Sequence, residues 1–80
     1  MTYIVYILIC SDNTLYTGIT NNLERRLSQH NAGKASKYTR ARLPVQLFYS
    51  FEVANKSEAL KEEYRIKQLS REEKLKLNVL

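Results

Sequence analysis

An unbroken apolar run near the amino terminus constrains the fold of this chain more than any other feature. Residues Tyr3 to Cys10 read YIVYILIC, and nearly all of them are β-branched or aromatic. Such residues favour strands, and a strand that is apolar on both faces normally has a packed layer on each side. The run is much shorter than the ~20 residues that span a membrane as a helix. We therefore predict a central strand of a small sheet.

The next apolar segment predicts a hairpin whose register matters for function. The turn cluster Ser11–Thr14 separates the first run from a return strand over Leu15–Thr20. A two-residue turn would place Tyr6 and Tyr16 on opposite faces, because side chains alternate along a strand. If both tyrosines serve one site, the loop must have odd length or the ladder must carry a bulge. We predict such an irregularity between residues 10 and 18, and a turn at Gly18 before the first helix.

The rest of the chain predicts three helices and one more strand. Good capping residues at 20–22 and a glycine at 33 predict a helix from about Asn22 to Ala32. A strand is expected over 45–51, a helix over 57–69, and a short terminal helix over 71–80 with Leu75 and Val79 inward. The order is therefore β-β-α-β-α-α, which is typical of an α+β domain.

Length and composition indicate a single domain over residues 1–80. The chain has 80 residues, of which 44% are hydrophobic and 26% charged, so it is too apolar to be disordered. The amino terminus lacks the pattern of a signal peptide, and we expect no membrane association. The single cysteine, Cys10, has no partner for an internal disulfide, which favours a reducing, cytoplasmic setting. The oligomeric state stays open.

The positive charge of the chain is concentrated in one segment. The formal net charge is +5, and residues 33–43 carry four basic side chains and no acid. A basic segment that includes an aromatic residue is a candidate surface for nucleic-acid backbone. Its members are Lys34, Lys37, Tyr38, Arg40 and Arg42. We expect an irregular, mobile loop here, and the alternative is a solvated basic loop without a partner.

Two polar residues of the first predicted helix lie on or beside its apolar stripe. Leu23 and Leu27 form that stripe, and His30 follows Leu27 by three residues. Arg26 precedes His30 by four residues, so the two side chains are neighbours at helical spacing. A lone inward histidine is usually a hydrogen-bonded core residue, so neither residue alone indicates catalysis.

One acid of the next long helix lies within the apolar face. That face is formed by Ala59, Leu60, Ile66 and Leu69, and Glu63 has three of them as near neighbours. A carboxylate in such a position must be paired, metal-bound or neutralised. The alternative to a functional role is an ion pair with Lys67 at i,i+4.

Five candidate residues jointly suit cleavage of a phosphodiester with one divalent metal ion. Arg26 would hold the scissile phosphate and offset charge in the transition state. Glu63 would coordinate Mg²⁺ or Mn²⁺, which prefer oxygen ligands. Tyr6 or Tyr16, with His30 nearby, would orient or deprotonate an attacking water.

The same residues stand in patterns that resemble a known family. The patterns IVY at 4–6, YTG at 16–18, NNLERRLSQHN at 21–31 and EALKEEYRIK at 58–67 are similar in combination to the GIY-YIG nuclease superfamily. The closest resemblance is to its small, single-domain, largely uncharacterised bacterial branch, and it covers essentially the whole chain. The resemblance implies a three-stranded antiparallel sheet flanked by helices.

The resemblance also implies roles for particular positions. It assigns the two motif tyrosines, the motif glycine, an arginine with a histidine four residues later, and a metal-binding glutamate to Tyr6, Tyr16, Gly18, Arg26, His30 and Glu63. The chain departs from the family pattern at Ile4, Val5 and Thr17, which lie in strand interiors. Many relatives carry a late asparagine in the site, and whether Asn78 takes that role stays open.

The leading hypothesis is a metal-dependent endonuclease that hydrolyses DNA with little sequence specificity. The chain lacks additional recognition elements, which favours contacts to phosphate over base readout. The first alternative is a nucleic-acid-binding or accessory module that keeps the fold and has little or no turnover. The second is a protein-interaction domain whose basic segment meets an acidic partner. The form of the DNA substrate stays open.

Overall fold

A computed structural model of the chain describes residues 2–78. In chain order the elements are β1 (Tyr3–Ile9), β2 (Leu15–Thr20), α1 (Leu23–Asn31), α2 (Lys37–Arg40), β3 (Gln46–Val53), α3 (Lys56–Lys67) and α4 (Arg71–Lys76). The three strands form one antiparallel sheet in the order β2-β1-β3. The predicted central position of the first strand and the α+β class are therefore confirmed.

Both faces of β1 are buried, because helices pack on the two sides of the sheet. Val5 and Ile7 lie in one core cluster with Ala59 and Ile66 of α3. On the opposite face, Tyr6, Leu8 and Cys10 form a second cluster, against which Leu23 and Leu27 of α1 pack. The uniformly apolar character of the first strand follows from this position between two layers.

The hairpin has the odd-length connection that the two tyrosines require. Tyr6 pairs with Gly18 and Leu8 pairs with Tyr16, so Tyr6 and Tyr16 lie on the same face of the sheet. The last ladder pair, Ile9 with Leu15, leaves the five residues 10–14 outside the ladder, and Asn13 has a left-handed φ of 66°. The predicted irregularity is confirmed.

The predicted turn at Gly18 is wrong, because Gly18 lies inside β2. The strand continues to Thr20, and the chain then enters α1 through its capping residue, Asn22, whose side chain accepts from the Arg25 amide. The predicted end of this helix is confirmed: Gly33 follows the C-cap with a φ of +76° and donates its N–H to the His30 carbonyl.

The basic segment 33–43 is not irregular throughout. It contains the short helix α2, whose amino terminus is capped by Ser36 through a hydrogen bond from the Tyr38 amide. The expectation of an irregular loop is therefore wrong for residues 37–40, since the Ser36 cap and the hydrogen bond from the Arg40 amide to the Ser36 carbonyl stabilise one helical turn.

The helices after the third strand match the prediction with small differences. The helix α3 begins at Lys56 because Asn55 supplies the cap. Leu60 is 48% exposed and was wrongly assigned to the buried face, since the face in contact with the sheet is narrow and centred on Ala59 and Ile66. Leu75 is half-buried, whereas the prediction for Val79 lies outside the described residues.

The third strand begins one residue later than predicted, at Gln46, and extends two residues further, to Val53. Its ladder with β1 is shifted at Ile7/Leu8, which indicates a bulge in β3. Among residues 2–78, no helix has the length and apolar character needed to cross a bilayer.

Candidate active site

The phenol of Tyr6 crosses β2 toward the open edge of the sheet, and Gly18 makes this possible. A methyl group built on Gly18 would lie 2.5 Å from the Tyr6 hydroxyl oxygen and 2.6 Å from its Cζ. No side chain fits in that space, since non-bonded carbon atoms in contact are ~3.5–4.0 Å apart. Gly18 is therefore required because the Tyr6 ring occupies the place of a side chain.

A chain of buried hydrogen bonds holds the Tyr6 hydroxyl. Its oxygen lies 2.8 Å from Nε2 of His30, and Nδ1 of the same ring lies 2.9 Å from the Thr39 hydroxyl of α2. The Thr39 hydroxyl in turn lies 3.3 Å from the Ser36 carbonyl oxygen. Tyr6, His30 and Thr39 are all buried, so the chain links β1, α1 and α2 within the core.

The Thr39 hydroxyl determines the direction of this chain. Its one hydrogen is donated to the Ser36 carbonyl, so Thr39 can only accept from Nδ1–H of His30. In the neutral imidazole Nε2 is then the acceptor, and the Tyr6 hydroxyl donates to it. The guanidinium of Arg26 also lies close enough to Tyr6 to lower the pKa of the phenol.

Burial shifts both titrating groups toward their neutral forms. Burial is the largest influence on Tyr6 and raises the pKa of its phenol, with Arg26 opposing it. Burial likewise lowers the pKa of His30, and the positive charge of Arg26 lowers it further. A neutral phenol that donates to a neutral imidazole is consistent with the directions of both shifts.

Tyr16 lies beside this pair. Its ring meets the His30 ring edge-on at 5.2 Å between centroids, and stacks on Tyr38 at 6.0 Å with an interplanar angle of 27°. Both rings of the predicted tyrosine pair therefore contact the same histidine, since Tyr6 also meets His30 edge-on at 5.8 Å.

Arg26 is held between the protein interior and an open cavity. One of its terminal nitrogens donates to Gln29 at 3.2 Å, whereas its Nε is buried and has no hydrogen-bond partner among the described residues. A buried donor without a partner is costly. The side chain lines a cavity of about 360 Å³ with Arg25 and Lys56, which makes this end of the site strongly cationic.

Glu63 approaches the site from the other side of β2. Lys56 at the start of α3 lines a cavity with Thr20, and Lys67 at its end lines another with Leu15. The helix therefore runs antiparallel along β2 and places Glu63 opposite the middle of that strand. Its negative charge contributes to raising the pKa of Tyr6.

The ion pair with Lys67, which the sequence predicts as the alternative to a functional role of Glu63, is present. Its carboxylate forms an ion pair with Lys67 at 3.4 Å, and the Glu63 side chain is 21% exposed. The neighbouring Glu62 instead pairs with Arg65 at 2.7 Å. Within residues 2–78 there is no group of three or more His, Cys, Asp or Glu side chains placed to hold a metal ion.

The basic segment divides into two groups. Lys34, Lys37 and Arg40 are exposed. Arg42, in contrast, is engaged within the protein: its Nε pairs with Asp12 at 3.0 Å, and its guanidinium lies 4.0 Å above the Tyr38 ring. Asn78 is exposed in the turn that follows α4.

Sequence reasoning did not identify Thr39 or the lysines that line the two cavities. Thr39 stands in a run of basic residues. Its contact with His30 is visible only in the folded structure, where Thr39 is the buried residue of α2. Lys56, Lys67 and Lys74 lie in helices of nearly balanced charge. No local signal distinguishes them from solvated lysines.

The candidate site lies within a segment that matches a protein-family model. The model of the GIY-YIG catalytic domain matches residues 2–76. The chain belongs to the GIY-YIG family. This assignment confirms the family resemblance of the sequence. In this GIY-YIG chain, Tyr6 and Tyr16 lie on one face of the antiparallel sheet.

The relatives of this GIY-YIG chain include small proteins of similar length. A UPF0213 protein of Oceanobacillus iheyensis is 63% identical over 73 residues, covering 91% of this chain and 85% of the relative. A UPF0213 protein of Halobacterium salinarum is 54% identical over 70 residues, covering 88% of this chain and 91% of the relative.

Two solution NMR structures share the fold. A UPF0213 protein of Bacillus halodurans has a TM-score of 0.61 and 44% sequence identity. A protein of E. faecalis has a TM-score of 0.66 and 37% identity. Each match covers 96% of this chain and 82% of the other.

Proposed function

We propose that this GIY-YIG chain is a metal-dependent endonuclease that hydrolyses DNA phosphodiester bonds with little sequence specificity. The observation that carries the proposal is the position of the Tyr6 hydroxyl. It donates to buried His30, lies beside Arg26, and responds electrostatically to Glu63. A phenol, a guanidinium and a carboxylate from three elements therefore lie near enough to influence one another electrostatically.

Arg26 is the group that would hold the scissile phosphate. Its Nε has no hydrogen-bond partner among residues 2–78, and a phosphate oxygen is an acceptor that a guanidinium binds effectively. Negative charge develops on the phosphate oxygens during hydrolysis, so a fixed guanidinium would stabilise the transition state more than the substrate.

Glu63 is the residue that would hold the divalent ion. Mg²⁺ is commonly bound through one or two carboxylates and keeps several waters, so a single half-buried carboxylate is a compatible donor set. When bound, the ion would act as a Lewis acid on a phosphate oxygen. Lys67 would have to release the Glu63 carboxylate, with which it pairs at 3.4 Å.

Tyr16, supported by Tyr6 and His30, would handle the attacking water. Tyr6 is 1% exposed and His30 has no exposed surface, so this hydrogen-bonded pair would orient the site from within and not touch the substrate. Tyr16 is half-exposed beside the pair and would be the phenol that contacts the attacking water and the reacting phosphate.

The exposed basic residues Lys34, Lys37 and Arg40 would contact the DNA backbone. Phosphate contacts give affinity without sequence preference, which is the basis for proposing little specificity. Cys10 is buried and free, which suits the reducing cytoplasm that we propose as the location.

A second candidate function is a nucleic-acid-binding module with little or no turnover. The ion pair between Glu63 and Lys67 favours it, because the carboxylate already has a cation. Cleavage of DNA by the purified protein distinguishes the two candidates.

The test is cleavage of a supercoiled plasmid in Mg²⁺ or Mn²⁺ by four matched variants. We expect Arg26→Ala and Glu63→Gln to lower the rate on the order of 100-fold or more. Arg25→Ala and Glu62→Gln, which alter the adjacent residues, should retain most activity. Cleavage that persists in both site variants would contradict the proposal, and binding without any cleavage would establish the second candidate.

Metal binding has a separate readout. A ligand that binds only the folded state raises the melting temperature. We expect Mg²⁺ or Mn²⁺ to raise the melting temperature of the wild-type protein and of Glu62→Gln, but not that of Glu63→Gln. An equal rise in all three would place the ion elsewhere.

A further inference from the structure

A second cavity adjoins the candidate site at the opposite end of β2 from Arg26. Its volume is about 240 Å³, and it is lined by Leu15, Tyr16, Thr17, Tyr38, Lys67 and Lys74. These residues come from β2, α2, α3 and α4, so the cavity lies where the four elements meet. One wall is aromatic and another carries two ammonium groups.

Tyr16 and Arg42 hold the aromatic wall in place. Tyr38 stacks on Tyr16, and the Arg42 guanidinium lies 4.0 Å above the Tyr38 ring. Arg42 is itself fixed by Asp12 at 3.0 Å and by the Tyr38 carbonyl at 2.9 Å. Tyr38 nevertheless remains 37% exposed, so an ordered aromatic ring faces solvent at the mouth of the cavity.

The two lysines differ in their partners. Lys67 pairs with Glu63 at 3.4 Å. Lys74 is half-buried, and among residues 2–78 no carboxylate lies within ion-pair distance of it. A half-buried ammonium group without a carboxylate partner favours an anion that comes from outside the protein.

We propose that this cavity binds one unpaired nucleotide of the DNA strand, with its base against Tyr38 and Tyr16 and its phosphate at Lys74. Stacking on an aromatic ring accepts any base, and an ammonium group is a point contact for phosphate. A base inside a duplex is stacked and paired and cannot enter. The inference rests on the proposed function and adds its substrate class: DNA with an unpaired nucleotide beside the scissile phosphate.

Binding measured without divalent ions tests the stacking part of the proposal. The probes are a fluorescent oligothymidylate of about ten nucleotides and a hairpin duplex with a blunt end. We expect Tyr38→Leu to weaken binding of the single strand about 5- to 150-fold, the range for one stacked base, and to leave duplex binding nearly unchanged. Tyr38→Phe keeps the ring and should bind like the wild-type protein.

Tyr64→Leu is the matched control, because Tyr64 is 70% exposed on α3 and does not line the cavity. It should bind both probes normally. Equal loss in Tyr38→Leu and Tyr64→Leu, or equal loss for single strand and duplex, would overturn the nucleotide site. Thermal melting of each variant shows whether the protein is still folded, and the salt dependence of Lys74→Ala keeps the proposal falsifiable if Tyr38→Leu is not folded.

The phosphate part is tested through salt dependence. Each phosphate contact on a single strand contributes about 0.7 to the slope of log affinity against log salt. We expect Lys74→Ala to reduce the magnitude of that slope by about 0.7, and Lys76→Ala, an exposed lysine of the same helix, to leave it unchanged. An equal change in both variants would refute the contact.

The nuclease proposal and the nucleotide-site proposal can each be refuted without the other. If the wild-type protein cleaves DNA and Arg26→Ala does not, but Tyr38→Leu and Lys74→Ala bind as their controls do, only the nucleotide site is wrong. If the binding differences appear and no variant, including the wild type, cleaves DNA, the site stands and the catalytic proposal is wrong.

Discussion

At the scale of single residues, the chemistry of the site depends on the direction of its hydrogen bonds. A histidine with one donor and one acceptor nitrogen can be placed in either tautomer, and the neighbours decide which is present. Here the Thr39 hydroxyl donates its one hydrogen to the Ser36 carbonyl, so His30 must donate to Thr39 and its acceptor nitrogen must face Tyr6. Thr39 completes the chain by accepting from the other nitrogen.

Thr39→Val tests this direction. Valine keeps the shape of threonine but cannot accept from Nδ1–H of His30, and a buried donor left without a partner costs about 1–3 kcal/mol. We expect a loss of that size in the free energy of unfolding, measured by denaturant titration, together with a changed imidazole ¹⁵N spectrum. Thr39→Ser should restore both, and an unchanged His30 spectrum in Thr39→Val would contradict a hydrogen bond between Thr39 and His30.

Gly18→Ala should disturb Tyr6 directly. The added methyl group would overlap the phenol, and overpacking of this kind costs about 1–3 kcal/mol of stability. We expect lower stability and lower nuclease activity, because the Tyr6 hydroxyl must leave His30. Gly33→Ala also destabilises, through its φ of +76°, but should leave the Tyr6–His30 hydrogen bond intact; a full-activity Gly18→Ala protein would be inconsistent with the site.

His30 predicts a dependence of stability on pH. Its folded pKa is lowered below the ordinary value of 6.5, so below pH 6.5 the unfolded chain binds a proton that the folded chain does not. The contribution of His30 to the free energy of unfolding should therefore be fully present above pH 6.5 and decrease as the pH falls below 6.5 toward the lowered pKa of the folded protein. Denaturant titrations of wild type and His30→Gln check this, and a wild-type profile as flat as that of the variant would contradict it.

The sequence predicted the residues of the candidate site better than it predicted the side chains that these residues contact. Tyr6, Tyr16, Arg26 and Glu63 stand in short motifs or at helical spacing, which can be recognised locally. The contact of Arg42 with Asp12 joins residues 30 positions apart, and nothing in the local pattern indicates it. Long-range polar contacts of this kind depend on the packed fold.

At the scale of elements, caps explain most helix boundaries. Asn22, Ser36, Asn55 and Ser70 each accept a backbone hydrogen bond at the start of a helix. The longer helices were predicted because apolar periodicity supports the cap signal over several turns. The helix α2 has only four residues, too few for a periodic pattern, so its serine cap was the single local indication.

Ser70→Ala should loosen α4. Ser70 and Glu73 form a reciprocal capping box at the start of this six-residue helix, and loss of an N-cap side chain costs about 0.5–2 kcal/mol. We expect reduced protection of the α4 amides in hydrogen exchange, and a weaker contact of Lys74 with single-stranded DNA. Ser57→Ala, in the first turn of α3, is the control, and unchanged α4 protection in Ser70→Ala would show that packing alone holds the helix.

At the scale of the whole molecule, basic groups surround the open edge of the sheet. Arg25 and Lys56 lie at one end of β2, and Lys67 and Lys74 lie at the other. The exposed residues of the segment 33–43 add to this surface on the side of α2. Much of the positive charge of the chain therefore lies along β2, where we propose that DNA binds.

Binding of duplex DNA should depend steeply on salt. Each neutralised phosphate contributes about 0.9 to the slope of log affinity against log salt. The triple variant Lys34→Ala, Lys37→Ala, Arg40→Ala should lose about 2–3 from the magnitude of that slope, whereas Lys61→Ala, whose lysine pairs with Glu58, should lose little. A triple variant with the wild-type slope would place the DNA on another surface.

The five residues between β1 and β2 have a consequence for how this hairpin can vary. Adding or deleting one amino acid there would rotate the return strand by half a turn, sending Tyr16 and Gly18 toward α3 and Thr17 toward α1. Two added residues would return Tyr16, Thr17 and Gly18 to their original faces of the sheet. Natural or engineered variants of this loop should therefore differ in length by even numbers, and an odd change should abolish the meeting of the two phenols at His30.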